Sequence, residues 1–420
     1  MNRYEIKDLA LAPSGALKIA WVREHMPLLR ALEESMEILP PCERPLAGVK
    51  LSVSIHLEAK TAYFCQVLSK AGASVVATAS NVLSTQDDVV AALAKSGVSV
   101  YAVHGASDAD YFRHIELCLE HQPNIIIDDG GDLTHMLHTA RPDLAVEMWG
   151  GSEETTTGVM RLRALEAEGL LRFAMIAAND ARMKYLFDNR YGTGQSTWDS
   201  ILRNTNLIVA SKTVVVAGYG WCGRGIAMRA AALGASVIVT EIDAVKAIEA
   251  RMDGHSVMTM TRAAPLGDLF ITATGCRDVI TIEHMRLMKD MVLLCNAGHF
   301  NVEVDVAGLA ELAESQHAPR PHIETFVLPG GKRINIIAEG KLVNIAAADG
   351  HPAEIMDLSF AVQYHSVLYL LKHHEKLEPK VIDVSEEIDN LISKEVLAAW
   401  GVSIDTLTPE QTTYLNSWQV

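Results

Sequence analysis

Short β-branched runs alternate along this chain with alanine-rich segments of helical spacing, and each run is closed by a glycine or a polar cluster. KLSVSI (50–55) is followed by the helical pattern of EAKTAYFCQVLSKAG and then by SVVATAS; VSVYAV (98–103), NIIID (124–128), LAVEMW (144–149) and FAMIAA (173–178) continue the series. Strands that are apolar throughout, with helices between them, predict a parallel sheet covered on both faces. A second series starts at KTVVVAG (212–218) and runs through ASVIVTE, DLFITATG and MVLLCNAG to about residue 340. The pattern predicts an α/β protein of two doubly wound parallel-sheet lobes, with ligands in the cleft outside the carboxyl ends of the strands. EIMDLSFAVQYHSVLYLLKHHEK reads as one long packed helix. The expected boundaries are a first lobe over 1–185, completed by 345–381, and a second over 190–344. From 382 to 420 follows a more polar helical arm with two helical stretches, SEEIDNLISKEVLAAW and TPEQTTYLNSWQV, suited to docking on another surface.

Composition narrows the partners. The 420 residues are 49% hydrophobic and 21% charged, enough to bury a large core without disulfides. With 36 Lys and Arg against 52 Asp and Glu the net charge is −16, and no basic cluster occurs, so nucleic acid and anionic membrane are excluded as partners. Six cysteines without a C-x-x-C pair read as reduced thiols of a cytoplasmic protein. Glu5, Lys7, Asp8 and Pro13 interrupt the N-terminal apolar residues before a signal-peptide core, and no run of about 18 apolar residues follows.

The glycines of Gly218-Tyr-Gly220-Trp-Cys-Gly223 follow the strand TVVVA and open a helix, the arrangement that lets backbone approach a pyrophosphate at a helix N-terminus. The next strand ends in Glu241, placed to accept from an adenosine ribose and to repel a 2′-phosphate, which points to NAD rather than NADP. In the first lobe, polar groups stand where apolar strands stop: His56, Asp128-Asp129-Gly130-Gly131-Asp132, Glu153-Glu154-Thr155-Thr156-Thr157 and Asn179-Asp180. Carboxyl ends of parallel strands share one sheet edge, so these clusters can converge, although Asp132 and Glu153 fit simple helix caps equally well. Lys184 and Asp188 share a face if their segment is helical, as catalytic groups or as a surface ion pair. Asn296-Ala-Gly298-His299 ends a strand of the second lobe, and Asp349-Gly350-His351 precedes the long helix, both histidines suitably placed for proton transfer. His135/His138 and His373/His374 lack a third ligand, so no metal site is expected.

Taken together, IIDDGGDLT, SEETTTG, KYLFDNRYGTGQS, VVVAGYGWCGRG, NAGHFNVE and GHP closely resemble the S-adenosyl-L-homocysteine hydrolase (adenosylhomocysteinase) family from about His56 onward. SIHLEAKTAYF and the short tail are similar to its branch in archaea and thermophilic bacteria. The resemblance implies a substrate lobe, a Rossmann NAD lobe and a homotetramer. It implies reversible hydrolysis of S-adenosyl-L-homocysteine to adenosine and L-homocysteine with an NAD that is regenerated each turnover. Oxidation at the ribose 3′ position acidifies the C4′ hydrogen, homocysteine leaves by elimination, water adds, and the 3′ position is reduced again.

Carried over residue by residue, Glu154 and Asp188 resemble the ribose hydroxyl acceptors, and Lys184 the group that takes the 3′ proton, for which a lowered pKa is expected. Asp129 and His56 resemble the pair that handles protons at C4′ and C5′ and on the leaving sulfur; His299, His351 and Met356 match the substrate pocket. Thr155, Thr156, Thr157, Asn189, Glu241, Thr274, Asn296 and Asn344 match cofactor positions, beside Gly218, Gly220 and Gly223. Three departures stand out. Thr193 replaces a cysteine common near the reacting ribose, so that thiol's role is expected to be missing. The end at Trp418-Gln419-Val420 lacks the Lys and Tyr that longer members send into a neighbour's NAD site, which implies weaker NAD retention. Glu58 and Lys60 occupy base-recognition positions where longer members have Thr and Glu, so S-inosyl-L-homocysteine, and with it inosine, is the alternative substrate; an ordinary surface Glu and Lys is the other reading. A plain NAD dehydrogenase would need no Asp129 and His56, and an NAD-sensing, non-catalytic relative would have lost Lys184, Asp188, Asp129 or His299, all of which are present.

Overall fold

The computed structural model describes residues 3–418; Gln419 and Val420 of the chain end lie outside them. The first sheet contains β1 (Tyr4–Glu5), β2 (Lys50–Ile55), β3 (Ser74–Ala79), β4 (Ser99–Tyr101), β5 (Ile125–Asp128), β6 (Gly150–Glu153) and β7 (Met175–Ala177). The second contains β8 (Thr213–Ala217), β9 (Ser236–Thr240), β10 (Ser256–Val257), β11 (Leu269–Thr272), β12 (Val292–Asn296), β13 (Ser315–Arg320), β14 (Ile323–Val327) and β15 (Arg333–Ile337), and β16 (Val381–Asp383) returns to the first. Their orders are β1-β4-β3-β2-β5-β6-β7-β16 and β10-β9-β8-β11-β12-β15-β14-β13. Every pairing in the first sheet is parallel; in the second only the β15-β14 and β14-β13 pairings are antiparallel.

At the centre of each sheet the strand order reverses, between β2 and β5 and between β8 and β11. Helices leave to opposite faces there and open a crevice at the strand ends. His56 and Asp129 follow the first pair, Gly218 and Thr274 the second. The long helix Ala353–His373 buries Phe360, Tyr364, Val367 and Leu370 in the core of the first lobe, and Phe360 stacks on Phe64 at 4.6 Å. Trp198 and Ile201 of the helix Thr193–Thr205 join the core of the second lobe.

Two expectations are corrected. LAVEMW is not a strand: Leu144–Glu147 forms a 3₁₀ turn and the strand is Gly150–Glu153. Apolar composition misled here because this central strand must be thin. A Cβ on Gly151 would lie 2.5 Å from Ile126 Cγ1, and one on Gly150 2.7 Å from Leu370 Cδ2. The arm does not begin at Ile382, which lies within β16 beside β7. The helix Glu386–Ala399 buries Ile392 and Val396 with Leu28, Met183, Leu358 and Val362, and the Asp389 carboxylate accepts from the N–H groups of Arg182 and Met183. The first lobe thus extends to about residue 400, and only the stretch with the exposed helix Pro409–Leu415 projects.

Candidate active site

The two crevices face each other across one cleft of about 700 Å³ lined by both lobes. Arg161 ties its rims: the guanidinium donates to the Gly130 carbonyl at 2.8 Å and lies 4.3 Å from the Phe300 ring of the other lobe.

On the first-lobe wall, Asp129 Oδ2 accepts from Ser80 Oγ at 2.7 Å and stands 3.5 Å from His56 Nε2, while His56 Nδ1 meets Ser84 Oγ at 2.8 Å. His299 Nδ1 approaches Asp129 Oδ1 from the second lobe to 3.8 Å. Burial pushes His56 below its usual pKa, leaving a neutral ring. Burial also opposes charge on Asp129, but His56, His299, the Ser80 hydroxyl and Lys184 hold it below the usual carboxylate range. A neutral imidazole beside a carboxylate puts two bases together, so a proton taken from the substrate by one can be passed to the other. The donor atoms of His56, Asp129 and His299 lie within 4.8 Å of one another, close enough to share a metal ion. The sequence reading, which weighed only the other histidine pairs, missed this grouping. His138 is occupied by the Thr134 carbonyl and the Arg172 N–H, and His374 bonds helix carbonyls.

Beside this pair, Lys184 Nζ lies 3.3 Å from Asp188 Oδ1 and 3.8 Å from Glu154 Oε1, and donates to the side-chain carbonyls of Asn179 and Asn189. All are buried, so this is not a surface ion pair. The lowered pKa expected for Lys184 is reversed: burial works against its charge, but Asp188 and Glu154 outweigh burial and raise it. Burial pushes Glu154 up to about 7 against the pull of Lys184, whereas Lys184, His351 and the Ser359 hydroxyl overcome burial at Asp188 and hold it well below the usual range. Among Lys184, Asp188 and Glu154, the group shifted toward neutrality is therefore Glu154.

Asp128 and Glu153, one residue earlier on each strand, are cross-strand neighbours beneath the site. Glu153 Oε1 accepts from Gly130 N, Thr155 N and Thr155 Oγ1, so one carboxyl oxygen fixes the loops that carry Asp129 and Glu154. Burial raises Asp128 to about 7 and Glu153 well above its ordinary value. Asp132 is not the cap of its helix; its carboxylate accepts from Tyr111 Oη.

At the far wall lie Glu58 and Lys60, only 4% and 6% exposed, which removes the surface reading. Glu58 caps its helix through Lys60 N and Thr61 N, and Lys60 Nζ sits 2.7 Å from Glu58 Oε2 and 3.0 Å from the Asp349 carbonyl. Met356 lines the cleft nearby. His351 reaches Asp188 Oδ1 at 3.3 Å through Nδ1, and Thr193 and Asn344 through Nε2. A thiol is present here after all, because Cys222 Sγ lies 3.6 Å from Thr193 Oγ1.

The second-lobe wall fits a dinucleotide. Gly218 has φ +91°, and a Cβ on Gly223 would lie 1.9 Å from the Gly218 carbonyl oxygen, so the turn demands glycine at both. Gly220 differs: a Cβ there would meet nothing within 4 Å and would project into the cleft, ahead of a helix N-terminus without a side-chain cap. That open cradle with unpaired N–H groups is a pyrophosphate seat. Glu241 Oε1 accepts from Ile242 N and Asp243 N and Oε2 from Tyr219 N, so its remaining acceptor capacity is on Oε2. Thr155, Thr156, Thr157, Asn189, Thr274 and Asn344 line the cleft, whereas Gly218, Gly223 and Glu241 are not part of its lining. Asn296 does not reach it: its amide is spent on Thr272, Gly298, Phe300 and Gly340. The sequence reading missed Ser80, Ser84, Ser359, Gln363 and Glu303. Glu303 accepts from Thr274 N, Thr274 Oγ1 and Gly275 N, the second lobe's counterpart of Glu153.

Comparison with known proteins agrees with this geometry. The family model "S-adenosyl-L-homocysteine hydrolase" matches residues 3–147, and "S-adenosyl-L-homocysteine hydrolase, NAD binding domain" matches 189–350, which contains the glycine turn. An adenosylhomocysteinase of Pyrococcus abyssi is 54% identical over 99% of this chain and 98% of its own length, and one of Thermotoga maritima 55% over 97% and 100%. An S-inosyl-L-homocysteine hydrolase of Methanocaldococcus jannaschii is 50% identical over 99% of both chains. With the cleft, its acid–base pair and its NAD cradle in hand, these matches show that the chain is an NAD-binding hydrolase and belongs to the S-adenosyl-L-homocysteine hydrolase family.

Proposed function

We propose that this chain reversibly hydrolyses S-adenosyl-L-homocysteine to adenosine and L-homocysteine. The observation that carries the reading is the single cleft in which the Asp129–His56 pair and the Lys184–Asp188–Glu154 cluster face the Gly218–Gly223 cradle. NAD, when bound, supplies oxidation of the ribose at C3′ and the later reduction. The residues do the rest. Asp188 and Glu154 accept hydrogen bonds from the ribose hydroxyls. Lys184 Nζ, an ammonium, holds O3′, and its proton passes through Nζ to Glu154, whose carboxyl titrates near neutrality. Asp129 takes the C4′ proton, and His56 serves the leaving sulfur and the entering water. His299 beside Asp129, and Phe300 against Arg161, exclude bulk water from the reacting atoms.

The Glu58–Lys60 pair also accommodates a second base. Two of the three Lys60 donors are used by Glu58 and Asp349, leaving one. Adenine would give its N6 hydrogen to Glu58 and accept at N1; hypoxanthine would give its N1 hydrogen to Glu58 and accept at O6. Competition between S-adenosyl- and S-inosyl-L-homocysteine on NAD-loaded protein, read as thiol release, tests both. Preference for the adenosyl compound is expected, a tenfold inosyl preference selects the second reading, and no thiol from either refutes the function. The same reading makes the enzyme a cytoplasmic homotetramer, supported by six free thiols and by exposed Leu407, Tyr414, Leu415 and Trp418 on the projecting tail.

A further inference from the structure

Two polar side chains on the long helix Ala353–His373 have no role in the reaction described so far. Ser359 and Gln363 are four residues apart, one helical turn, so they share a face. Both are wholly buried, in a helix whose buried face is mostly apolar but also carries Asp357, His365 and Ser366. A buried hydroxyl or amide is costly unless it is paired. Their partners are the two ribose-binding carboxylates: Ser359 Oγ donates to Asp188 Oδ2 at 2.8 Å, and Gln363 Nε2 donates to Glu154 Oε2. Ser152 Oγ, from β6, donates in turn to Gln363 Oε1. With its oxygen occupied by a hydroxyl donor, the amide must present its NH₂ to Glu154; the flipped amide would set oxygen against carboxylate.

Each carboxylate therefore has one oxygen tied to the helix and the other left for the cleft. Asp188 Oδ1 faces Lys184 Nζ and His351 Nδ1, both at 3.3 Å. Glu154 Oε1 is buried and has no hydrogen-bond partner among the described residues, with Lys184 Nζ 3.8 Å away. A buried carboxylate oxygen without a donor, at the wall of an open cleft, is a vacant acceptor position for a ligand hydroxyl.

We propose that Ser359 and Gln363 are positioning residues of the hydrolase, aiming Asp188 Oδ1 and Glu154 Oε1 at the ribose hydroxyls, and that Ser152 sets the sense in which Gln363 is used. The inference rests on the functional reading above. The alternative is that these polar groups merely satisfy one another inside the core. The charged groups facing Glu154 are Lys184, Asp188 and Asp129, and none of them lies on the long helix, so Gln363 can be changed without touching them.

The test uses NAD-loaded enzyme and its Gln363→Glu, Ser359→Ala and Ser152→Ala variants, with kcat and KM for S-adenosyl-L-homocysteine measured across pH and NAD content and melting temperature alongside. Gln363→Glu has nearly the same volume but sets a second carboxyl against Glu154; the acid limb of kcat should move up by about one pH unit. Ser359→Ala should raise KM and lower kcat/KM by about 10- to 100-fold, the effect of losing one hydrogen bond to a charged group, and Ser152→Ala by less. Variants that keep NAD and the wild-type melting temperature while showing these changes support the proposal. An unmoved acid limb in Gln363→Glu overturns it. So does Ser359→Ala with wild-type KM and kcat, or a melting temperature lowered with no change in KM or the pH profile. Active wild type with unaffected variants sinks this inference alone, whereas wild-type enzyme releasing no thiol takes the functional reading down with it.

Discussion

Glu154→Gln should destroy activity and stabilise the fold. Burial pushes the Glu154 carboxyl from its ordinary 4.5 up to about 7, against the attraction of Lys184. An acid whose pKa is raised by folding binds its proton more tightly in the folded state, so stability is lost as pH rises from 4.5 to about 7 and stays lost above. At about 1.36 kcal/mol per unit the loss is about 3 kcal/mol. The glutamine amide never ionises, so the variant escapes that cost. For a lobe of this size, about 3 kcal/mol corresponds to roughly 6–12 °C in Tm. The assay is thermal unfolding of wild type and variant at equal NAD concentration, at about pH 5 and about pH 8, monitored by circular dichroism. The Tm gain should be several degrees at the higher pH and nearly vanish at the lower, while thiol release falls at least about 100-fold. A variant less stable than wild type at about pH 8, or a difference equal at both pH values, would refute the reasoning, because Glu154 would then be charged at no cost to the fold.

Two further perturbations separate the roles of the walls. Lys184→Met leaves Asp188 and Glu154 without their cation, so the fold should lose about 3–5 kcal/mol near neutrality and adenosine should no longer reduce bound NAD; unchanged reduction, followed by nicotinamide absorbance, removes Lys184 from the mechanism. Gly220→Val should lower NAD affinity at least about 100-fold with a wild-type far-ultraviolet spectrum, because its side chain enters the cleft, whereas Gly223→Ala should also unfold more easily because its Cβ meets the Gly218 carbonyl; calorimetric titration with NAD and urea melts distinguish the two.

What the sequence disclosed and what it hid divide along physical lines. Continuous apolar strands closed by polar clusters marked both sheets, because a parallel sheet buried on both faces leaves polar residues only at its ends. That logic found His56, Asp129, Glu154 and the glycine turn. It failed at Gly150–Glu153, where packing of Ile126, Met175 and Leu370 onto the backbone replaces β-branched residues by glycine. It failed again at Val381–Asp383, a three-residue edge strand with no periodic signature whose place is set by pairing with β7. Supporting residues were harder still. Glu153 and Glu303 look like ordinary acids until backbone amides from separate loops are seen to converge on them. Ser359 and Gln363 did carry a signal, two polar residues one turn apart in an apolar stripe, but only the fold shows that the stripe lies behind two carboxylates. Spacing placed Asp188 beside Lys184 but could not place Glu154, which a distant element brings within 4 Å.

The central claim is that this cleft breaks a thioether by making the ribose C4′ hydrogen acidic. NAD-loaded protein incubated with adenosine in deuterated water, followed by proton magnetic resonance, tests it directly. The C4′ proton signal should disappear with wild type and persist with Asp129→Asn, even though adenosine still reduces bound NAD in that variant. Thiol release from S-adenosyl-L-homocysteine together with a C4′ proton that never exchanges would contradict the account.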